Sequence, residues 1–483
     1  MTGIGIVLAL VLLLALAAGL AWAWRQPYIG LGLVVAGLAF HSFALMVLLR
    51  LGTPNLLVRA FQGWKELLLA LVALIALLGL YRDWRAGKLG RPLPADWFAI
   101  GLAILVAVYF LLPGSILHSN ASLAQRAVGF RIDALIPLLY FIGRRIKPRP
   151  DMVPTVIWLC LGAGAVVTLF GLAELWLIPT ATWLDWGVNL YTSFLGFTYH
   201  GPGGLPENFF LTLPDGTLVR RMVSTYVSPL GIAYTALLLL PLGVALLEWH
   251  AGESRRPRWL AGTVFTFVLI GLLLSVTRLA LLAAAGEAAL LFLLLRRRWL
   301  AGLFVVLAVG TALMLYVYPS IGPSVGRNLV AGSGGHGQAA VSGGDTSTQE
   351  HFTYLIGDLK IDLQHPLGLG TGASTVRYGQ LVGTGESAVL GFFGDLGVLG
   401  GLLYTGLYLL VLWNGWRAFR RLPQGALESG LPLVALVGGL ALAPITMTSD
   451  VWGDLSVTVL FWWAAGAAVT LATAARAPQA GLN

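Results

Sequence analysis

Charged residues and cysteine are scarce in this sequence, and each shortage excludes a class of protein. Only 11% of the 483 residues are charged, against roughly 25% in a soluble domain, and 58% are hydrophobic. The single cysteine, Cys160, excludes an internal disulfide and is interpreted as core packing. No Asp-x-Asp pair, no cluster of His, Cys and carboxylates and no Walker Lys-Ser/Thr is present. The sequence therefore predicts neither a metal nor any other cofactor.

Long apolar runs predict an all-α polytopic membrane protein. Runs of about 17–22 apolar residues have the length that crosses a hydrocarbon core as a helix. They lie near 4–24, 29–49, 66–81, 96–112, 128–143, 152–175, 227–248, 259–277, 279–295, 299–318, 388–414, 431–449 and 456–475. The mean hydropathy of the whole sequence is +0.83, which agrees with this pattern. We therefore expect about 12–13 transmembrane helices in a lipid bilayer.

The basic residues predict the orientation. Five short loops are rich in them: Arg82/Arg85/Lys88/Arg91, Arg144/Arg145/Lys147/Arg149, Arg255/Arg256/Arg258, Arg296/Arg297/Arg298 and Arg417/Arg420/Arg421. They fall on alternating connections, so all five lie on one side, which the positive-inside rule assigns to the cytoplasm. Most of the net charge of +9 is then explained by the loops that set the orientation in the membrane, so it implies no nucleic-acid partner.

Two long loops divide the chain on the opposite side. The expected order is transmembrane helices over 1–176, an aromatic-rich loop over 177–226, helices over 227–318, a larger loop over 319–387 and helices over 388–483. Within the larger loop, Phe352, Leu355, Ile356, Leu359 and Leu363 have helical spacing, which predicts an amphipathic helix. Asp358 and Asp362, four residues apart on that helix, are expected to form its solvated face.

Three arginines lie where the positive-inside rule disfavours cations. Arg221 ends the first loop, Arg278 lies in LLLSVTRLALLAA, which predicts two helices hinged at the outer surface, and Arg131 opens another helix. They could snorkel or pair with acids such as Asp133 or Asp450. Alternatively they gather around an anion, and the planar fork of arginine suits a diphosphate.

The glycine-rich segment 365–391, HPLGLGTGASTVRYGQLVGTGESAVLG, is the best candidate for a site. Bilayers disfavour irregular backbone and charge, so this segment must lie in water or in a protein-lined cavity. Glu386 within it is a candidate general base that takes a proton from an acceptor hydroxyl. The competing interpretation is a carboxylate favoured by the dipole of the helix that begins near Ser387.

Four segments resemble the O-antigen ligase/O-antigen polymerase superfamily of GT-C-type membrane glycosyltransferases. They are RMVSTYVSPLGIAY, LLLSVTRLALLAA, LKIDLQHPLGLGTG and ESAVLGFFGDLGVLG, in the family's order. The resemblance implies transfer of oligosaccharide from an undecaprenyl diphosphate carrier, with the active site on the periplasmic face of the cytoplasmic membrane. It implies diphosphate binding by Arg221 and Arg278, with Arg131 auxiliary, catalysis by Glu386, and support from His365, Gly370, Gly372 and Ser387. Trp186, Tyr199 and His200 of the aromatic loop are candidates for sugar binding.

One departure favours the polymerase branch of this family over the ligase branch. Ligases that act on lipid A–core typically have His where this chain has Glu386, so we expect a polymerase that uses a glycan acceptor, with a chain-length regulator as a further candidate partner. A ligase stays the alternative. A transporter of the same lipid-linked sugars is another, because Glu287 places a charge inside an apolar run. A non-catalytic scaffold would make Arg221, Arg278 and Glu386 individually dispensable.

Overall fold

The chain is almost entirely helical. The computed structural model describes residues 2–88, 90–146, 148–196, 204–213, 218–252, 258–325, 346–373, 386–423 and 425–474. Its helices are α1 (Thr2–Arg25), α2 (Pro27–Arg50), α3 (Asn55–Gln62), α4 (Trp64–Arg85), α5 (Pro94–Leu111), α6 (Gly114–Leu117), α7 (Leu123–Arg145), α8 (Val153–Leu177), α9 (Thr182–Asp185), α10 (Val188–Leu195), α11 (Pro229–Gly252), α12 (Arg258–Leu274), α13 (Arg278–Leu295), α14 (Arg298–Ala312), α15 (Tyr318–Val325), α16 (Thr346–Gln364), α17 (Ala388–Phe419), α18 (Gly430–Leu433), α19 (Gly439–Thr448) and α20 (Leu455–Ala474). Short π-helical turns, Leu313–Val317 and Val434–Gly438, join α14 to α15 and α18 to α19. Two short strands, β1 (Phe210–Thr212) and β2 (Leu218–Arg220), pair antiparallel.

The prediction of an all-α polytopic membrane protein is confirmed. Eleven helices or helical stretches in the described part of the chain are long and apolar enough to cross a membrane. Two further predicted spans correspond to α12, which has 17 residues, and to α7, which carries Arg126, Arg131 and Asp133 among its apolar residues. The larger loop contains α16, so this loop is partly helical as predicted.

The chain forms two compact units, and each unit combines two segments. The first comprises Met1–Val72 and Asp151–Thr346, and the second comprises Ala73–Pro150 and Ser347–Asn483. These units are defined by packing, whereas the five consecutive segments expected from the sequence describe membrane topology. That topological division stays a prediction.

The first unit is built around α11. Nearly all residues of the stretch Pro229–Trp249 are buried, and α11 packs against α8, α12 and α13, while α2 packs along α8. A short turn, Ser224–Tyr226, is tied into this core, because Ser224 donates to the carbonyl of Val167 at 2.6 Å and Thr225 to that of Ala39 at 2.7 Å. The segment leading from β2 into α11 is therefore fixed on two helices.

The second unit is built around α20. Most residues of the stretch Leu455–Thr473 are buried, and α20 packs against α7 and α17. Glycines allow α7 and α20 to approach backbone to backbone: a Cβ added to Gly466 would lie 2.0 Å from the carbonyl oxygen of Tyr140, and one added to Gly143 would lie 2.2 Å from that of Trp463. Small residues at helix interfaces are the usual means of close packing in membranes. This contact fixes α7, which carries part of the candidate site.

Candidate functional site

Arg220 and Arg221 are neighbours in sequence but serve different purposes. Arg220 is 1% exposed, and its Nη2 lies 2.6 Å from Oε1 of Glu174 in α8. Its guanidinium also donates to the carbonyl oxygens of Glu174 and Ile178, at 2.9 and 2.8 Å. Arg220 is therefore a neutralised, structural cation that attaches the hairpin to α8.

Arg221 is a buried cation held by neutral groups. It is 8% exposed, and its Nε donates to the carbonyl oxygen of Ser275 at 2.8 Å. Its Nη2 donates to Oγ1 of Thr277 at 2.8 Å and its Nη1 to the carbonyl oxygen of Asn208 at 3.3 Å. Burial lowers the pKa of Arg221 to about 10, and the nearby Arg278 acts in the same direction. Arg221 thus keeps its positive charge at neutral pH, and a bound anion would stabilise it.

Arg278 begins α13 at the predicted hinge. The chain leaves α12 at Leu274 and turns through Val276, whose φ of +48° is unusual for a β-branched residue. Arg278 is half-buried at the start of α13, close enough to Arg221 for their charges to interact. Two arginines beside a helix N-terminus form a local positive region, which favours negatively charged groups.

In the second unit, the glycine-rich turn 365–372 packs closely against α17. Gly368, Gly370 and Gly372 all have positive φ, at 73°, 98° and 81°. The backbone N–H groups of Gly370 and Gly372 donate to the carbonyl oxygen and Oδ2 of Asp395, at 2.9 and 2.6 Å. α17 is itself broken at Gly397, with φ 68° and ψ −172°. The turn and the broken helix therefore hold each other in place.

Gly372→Ala is expected to destabilise the protein. A Cβ at this position would lie 2.2 Å from the carbonyl oxygen of Gln125, and the φ of +81° disfavours any side chain. We expect a loss of about 1–3 kcal/mol, measured as a lower Tm of the purified full chain in detergent. Gly357→Ala is the control, because a Cβ on this residue of α16 meets no atom of the described residues within 4 Å. An unchanged Tm for Gly372→Ala would contradict the packing described here.

His365 and the residues around Glu386 flank this turn. His365 is exposed, and its backbone N–H donates to the carbonyl oxygen of Ile361 at 3.0 Å. Ser387 caps α17, because its Oγ accepts from the N–H of Leu390 at 3.1 Å. Glu386 is half-buried one residue before this cap.

Three carboxylates share a small cavity beside the cap. The cavity measures about 30 Å³ and is lined by Asp133 of α7, Asp395 of α17, Asp450 and Ser387. Asp133 and Asp395 are 7% and 3% exposed, while Asp450 is exposed at its edge. A polar cavity of this size holds one or two water molecules. Arg131 is half-buried, two residues before Asp133 on α7.

The expectation of a solvated face at Asp358 and Asp362 was wrong. The two side chains are 5% and 8% exposed, whereas Phe352 and Leu363 on the apolar side of α16 are 66% and 74% exposed. The helix is amphipathic as predicted, but its acidic side faces the protein. The reason is that the solvent of a membrane protein includes lipid, so an apolar face turned outwards is not penalised. Burial, with Asp358 and Asp395 nearby, raises the pKa of Asp362 to about 7.

Stability is expected to depend on the titration of Asp362. The folded state holds this proton more tightly than the unfolded chain, so the stabilisation is full below about pH 4 and is lost as pH rises through about 7. Asp362→Asn should remove this contribution and flatten the decline in Tm between pH 5 and pH 8. Asp185→Asn, at an exposed carboxylate of the other loop, should keep the decline. An equal decline in wild type and Asp362→Asn would contradict the assignment.

The candidates for sugar binding are only partly described. Trp186 is half-buried in an aromatic cluster, with ring centroids 5.7 Å from Phe43 and 5.3 Å from Trp183. This packing holds Trp183 of α9 and Trp186 against Phe43 of α2. Tyr199 and His200 lie outside the described residues, so their predicted role stays a prediction.

Sequence reasoning missed two features of these clusters. Ser275 and Thr277 orient Arg221, and the Ser-x-Thr-Arg spacing was the available signal. Asp395 anchors the glycine-rich turn, and its position in FGDLG between glycines could have indicated a carboxylate that binds backbone. Neither a protein-family model nor a curated protein matches this chain.

Proposed function

We propose that this multi-pass membrane protein is a glycosyltransferase that moves oligosaccharide from an undecaprenyl diphosphate carrier to a sugar acceptor. The observation that carries the proposal is Arg221. It is a buried guanidinium whose described hydrogen-bond partners are two carbonyl oxygens and a hydroxyl, with Arg278 nearby. A burial of this kind is unfavourable unless an anion shares it. A diphosphate supplies that charge and matches the arginine fork.

The chemistry needs a cationic grip and a base. Arg221 and Arg278 hold the diphosphate and stabilise the charge that develops as it leaves, and Arg131 is auxiliary. Glu386 accepts the proton of the acceptor hydroxyl while the oxygen of that hydroxyl attacks the anomeric carbon of the donor. The bond from that carbon to the phosphate oxygen breaks, and its electron pair goes to the diphosphate. With a single displacement the configuration at the anomeric carbon inverts, and no metal takes part.

The distribution of basic residues suggests the membrane face on which the proposed reaction takes place. The basic loops mark the cytoplasmic side under the positive-inside rule, so the loops that carry Arg221 and Glu386 face the other way. We assign the protein to the cytoplasmic membrane, with the reaction on its periplasmic face. Glu386 favours a polymerase of O-antigen or exopolysaccharide, whose acceptor is the sugar end of a second lipid-linked unit. A chain-length regulator is a candidate partner, and a ligase that uses lipid A–core is the alternative within the same chemistry.

The decisive experiment uses purified protein and its host's lipid-linked oligosaccharide. A polymerase produces a ladder of longer lipid-linked glycans with no added acceptor. Donor consumption only after addition of a separate acceptor would favour a ligase. Absence of transfer with either acceptor would contradict the proposal.

A transporter is the second candidate, and Glu287 is the observation that favours it. This residue of α13 is 2% exposed, and neither of its carboxylate oxygens has a hydrogen-bond partner in the described part of the chain. Buried carboxyls inside membrane helices commonly serve proton-coupled transport. Under the proposed glycosyltransferase, Glu287→Gln is expected to leave the rate of transfer close to that of wild type, because Glu287 takes no part in the proposed chemistry and glutamine keeps the size of its side chain. The transporter would be favoured if the wild-type protein moves labelled lipid across a liposome bilayer and Glu287→Gln abolishes that movement.

A further inference from the structure

A second cavity lies among the helices of the second unit, and it shares no lining residue with the small cavity of Asp133, Asp395 and Asp450. It measures about 770 Å³, within the ~300–1,000 Å³ range of small-molecule sites. Its walls come from α4, α5 and α7 and are mostly apolar; Ala103 and Ala107 lie on α5, and Phe130 and Phe141 on α7. Leu77 and Leu138, which also line it, are 59% and 39% exposed. The cavity is therefore a groove that opens on the surface of membrane-spanning helices.

Cations cluster at one end of this groove. Arg91, Arg144 and Arg145 line it there, and Asp96 is the one carboxylate among the described lining residues. Arg144 is neutralised by Asp96, with Nε–Oδ1 at 2.8 Å and Nη2–Oδ2 at 3.0 Å. The other two arginines, Arg91 and Arg145, can reach an anion at the surface. Arg91 is exposed, and the side chain of Arg145 is 33% exposed, with Asp83 at 3.5 Å as a loose partner.

We infer that this groove binds an anionic phospholipid, with an acyl chain along the apolar wall and the phosphate against Arg91 and Arg145. This occupant is favoured by its charge and by the lipid that surrounds membrane-spanning helices. An apolar groove on a membrane-spanning surface is filled by lipid tails, and a basic end selects negatively charged headgroups. The end in question is formed by two of the five basic loops, which the positive-inside rule assigns to the cytoplasmic side. The inference does not depend on the proposed glycosyl transfer.

Lipid retention tests the headgroup contact. The full chain would be purified from nanodiscs of phosphatidylcholine doped with phosphatidylglycerol, and retained lipid measured by native mass spectrometry. Each of Arg91→Gln and Arg145→Gln should lower the preference for phosphatidylglycerol roughly 5-fold, and the double variant more. Arg149→Gln is the control, because Arg149 is exposed in the same basic loop but does not line the groove. A preference unchanged in the double variant would overturn the inference.

A filling variant tests the acyl-chain contact independently of charge. Ala103→Phe places a ring in the groove and should lower retention of both lipids. Ile104→Phe, on the neighbouring residue of α5 that is 59% exposed outside the groove, should retain both. Equal retention in the two variants would overturn the inference. Recovery of a polyprenyl diphosphate as the displaced molecule would also overturn it, since the occupant would then be the donor and not a phospholipid.

Discussion

Glu386→Gln is expected to lower the rate of glycosyl transfer by several orders of magnitude, on the order of 10²–10⁴-fold, while the protein stays folded. The amide keeps the size of the side chain but cannot accept the proton of the acceptor hydroxyl. Loss of a general base lowers the rate on the order of 10²–10⁴-fold. The measurement is the rate at which purified protein extends lipid-linked oligosaccharide, compared between wild type and variant at several pH values.

The structure sharpens the choice between this role and helix capping. α17 begins at Ala388, and the capping position belongs to Ser387, which accepts from the N–H of Leu390. Glu386 lies before the cap, where a carboxylate gains about 0.3–1 kcal/mol from the helix dipole. A dipole role alone predicts a slightly lower Tm and normal transfer for Glu386→Gln, and that result would contradict the base assignment.

A matched carboxylate serves as the control. Asp185 is exposed in α9 of the first loop, on the same predicted side of the membrane, and takes no part in the proposed chemistry. Asp185→Asn should therefore transfer at the wild-type rate. Retained binding of donor by Glu386→Gln, measured as a shift in Tm on adding donor, would assign the defect to chemistry instead of to binding.

The sequence predicted the helices well because a bilayer imposes length and hydrophobicity together. A helix lies at each of the thirteen apolar runs, and the break before Arg278 is at the predicted hinge. The orientation of α16 was the clear error. Its periodicity indicated two faces but carried no information about which one meets protein, and Asp358 and Asp362 point inwards.

The two adjacent arginines show a second limit. Local charge and hydropathy do not distinguish Arg220 from Arg221, and only the resemblance of the segment that begins at Arg221 singled it out. The distinction comes from Glu174, which lies 46 residues earlier in α8 and reaches Arg220 only after folding. Likewise, Asp133, Asp395 and Asp450 come from three separate segments, so no spacing pattern could bring them to one cavity.

Arg221→Gln is expected to lower transfer on the order of 10²–10³-fold, the usual effect of removing one donor to a developing negative charge. Donor binding should weaken as well, because the diphosphate loses a cation in both the ground state and the transition state. Arg221→Lys should fall between wild type and Arg221→Gln, since it keeps the charge but loses the bidentate fork. The measurement is the rate of transfer over a range of donor concentrations, with Tm recorded for each variant.

Arg220 provides the matched control for Arg221 on the neighbouring residue. Arg220→Gln leaves Glu174 buried at 0% exposure without its cation, so the protein should lose about 3–5 kcal/mol of stability. The folded fraction should nevertheless transfer at close to the wild-type rate, because Arg220 is already neutralised by Glu174. The two variants thus separate a structural cation from a cation that binds donor: Arg220→Gln changes Tm, and Arg221→Gln changes the rate of transfer. Equal loss of transfer per folded molecule in both, or normal transfer in Arg221→Gln, would contradict the diphosphate assignment.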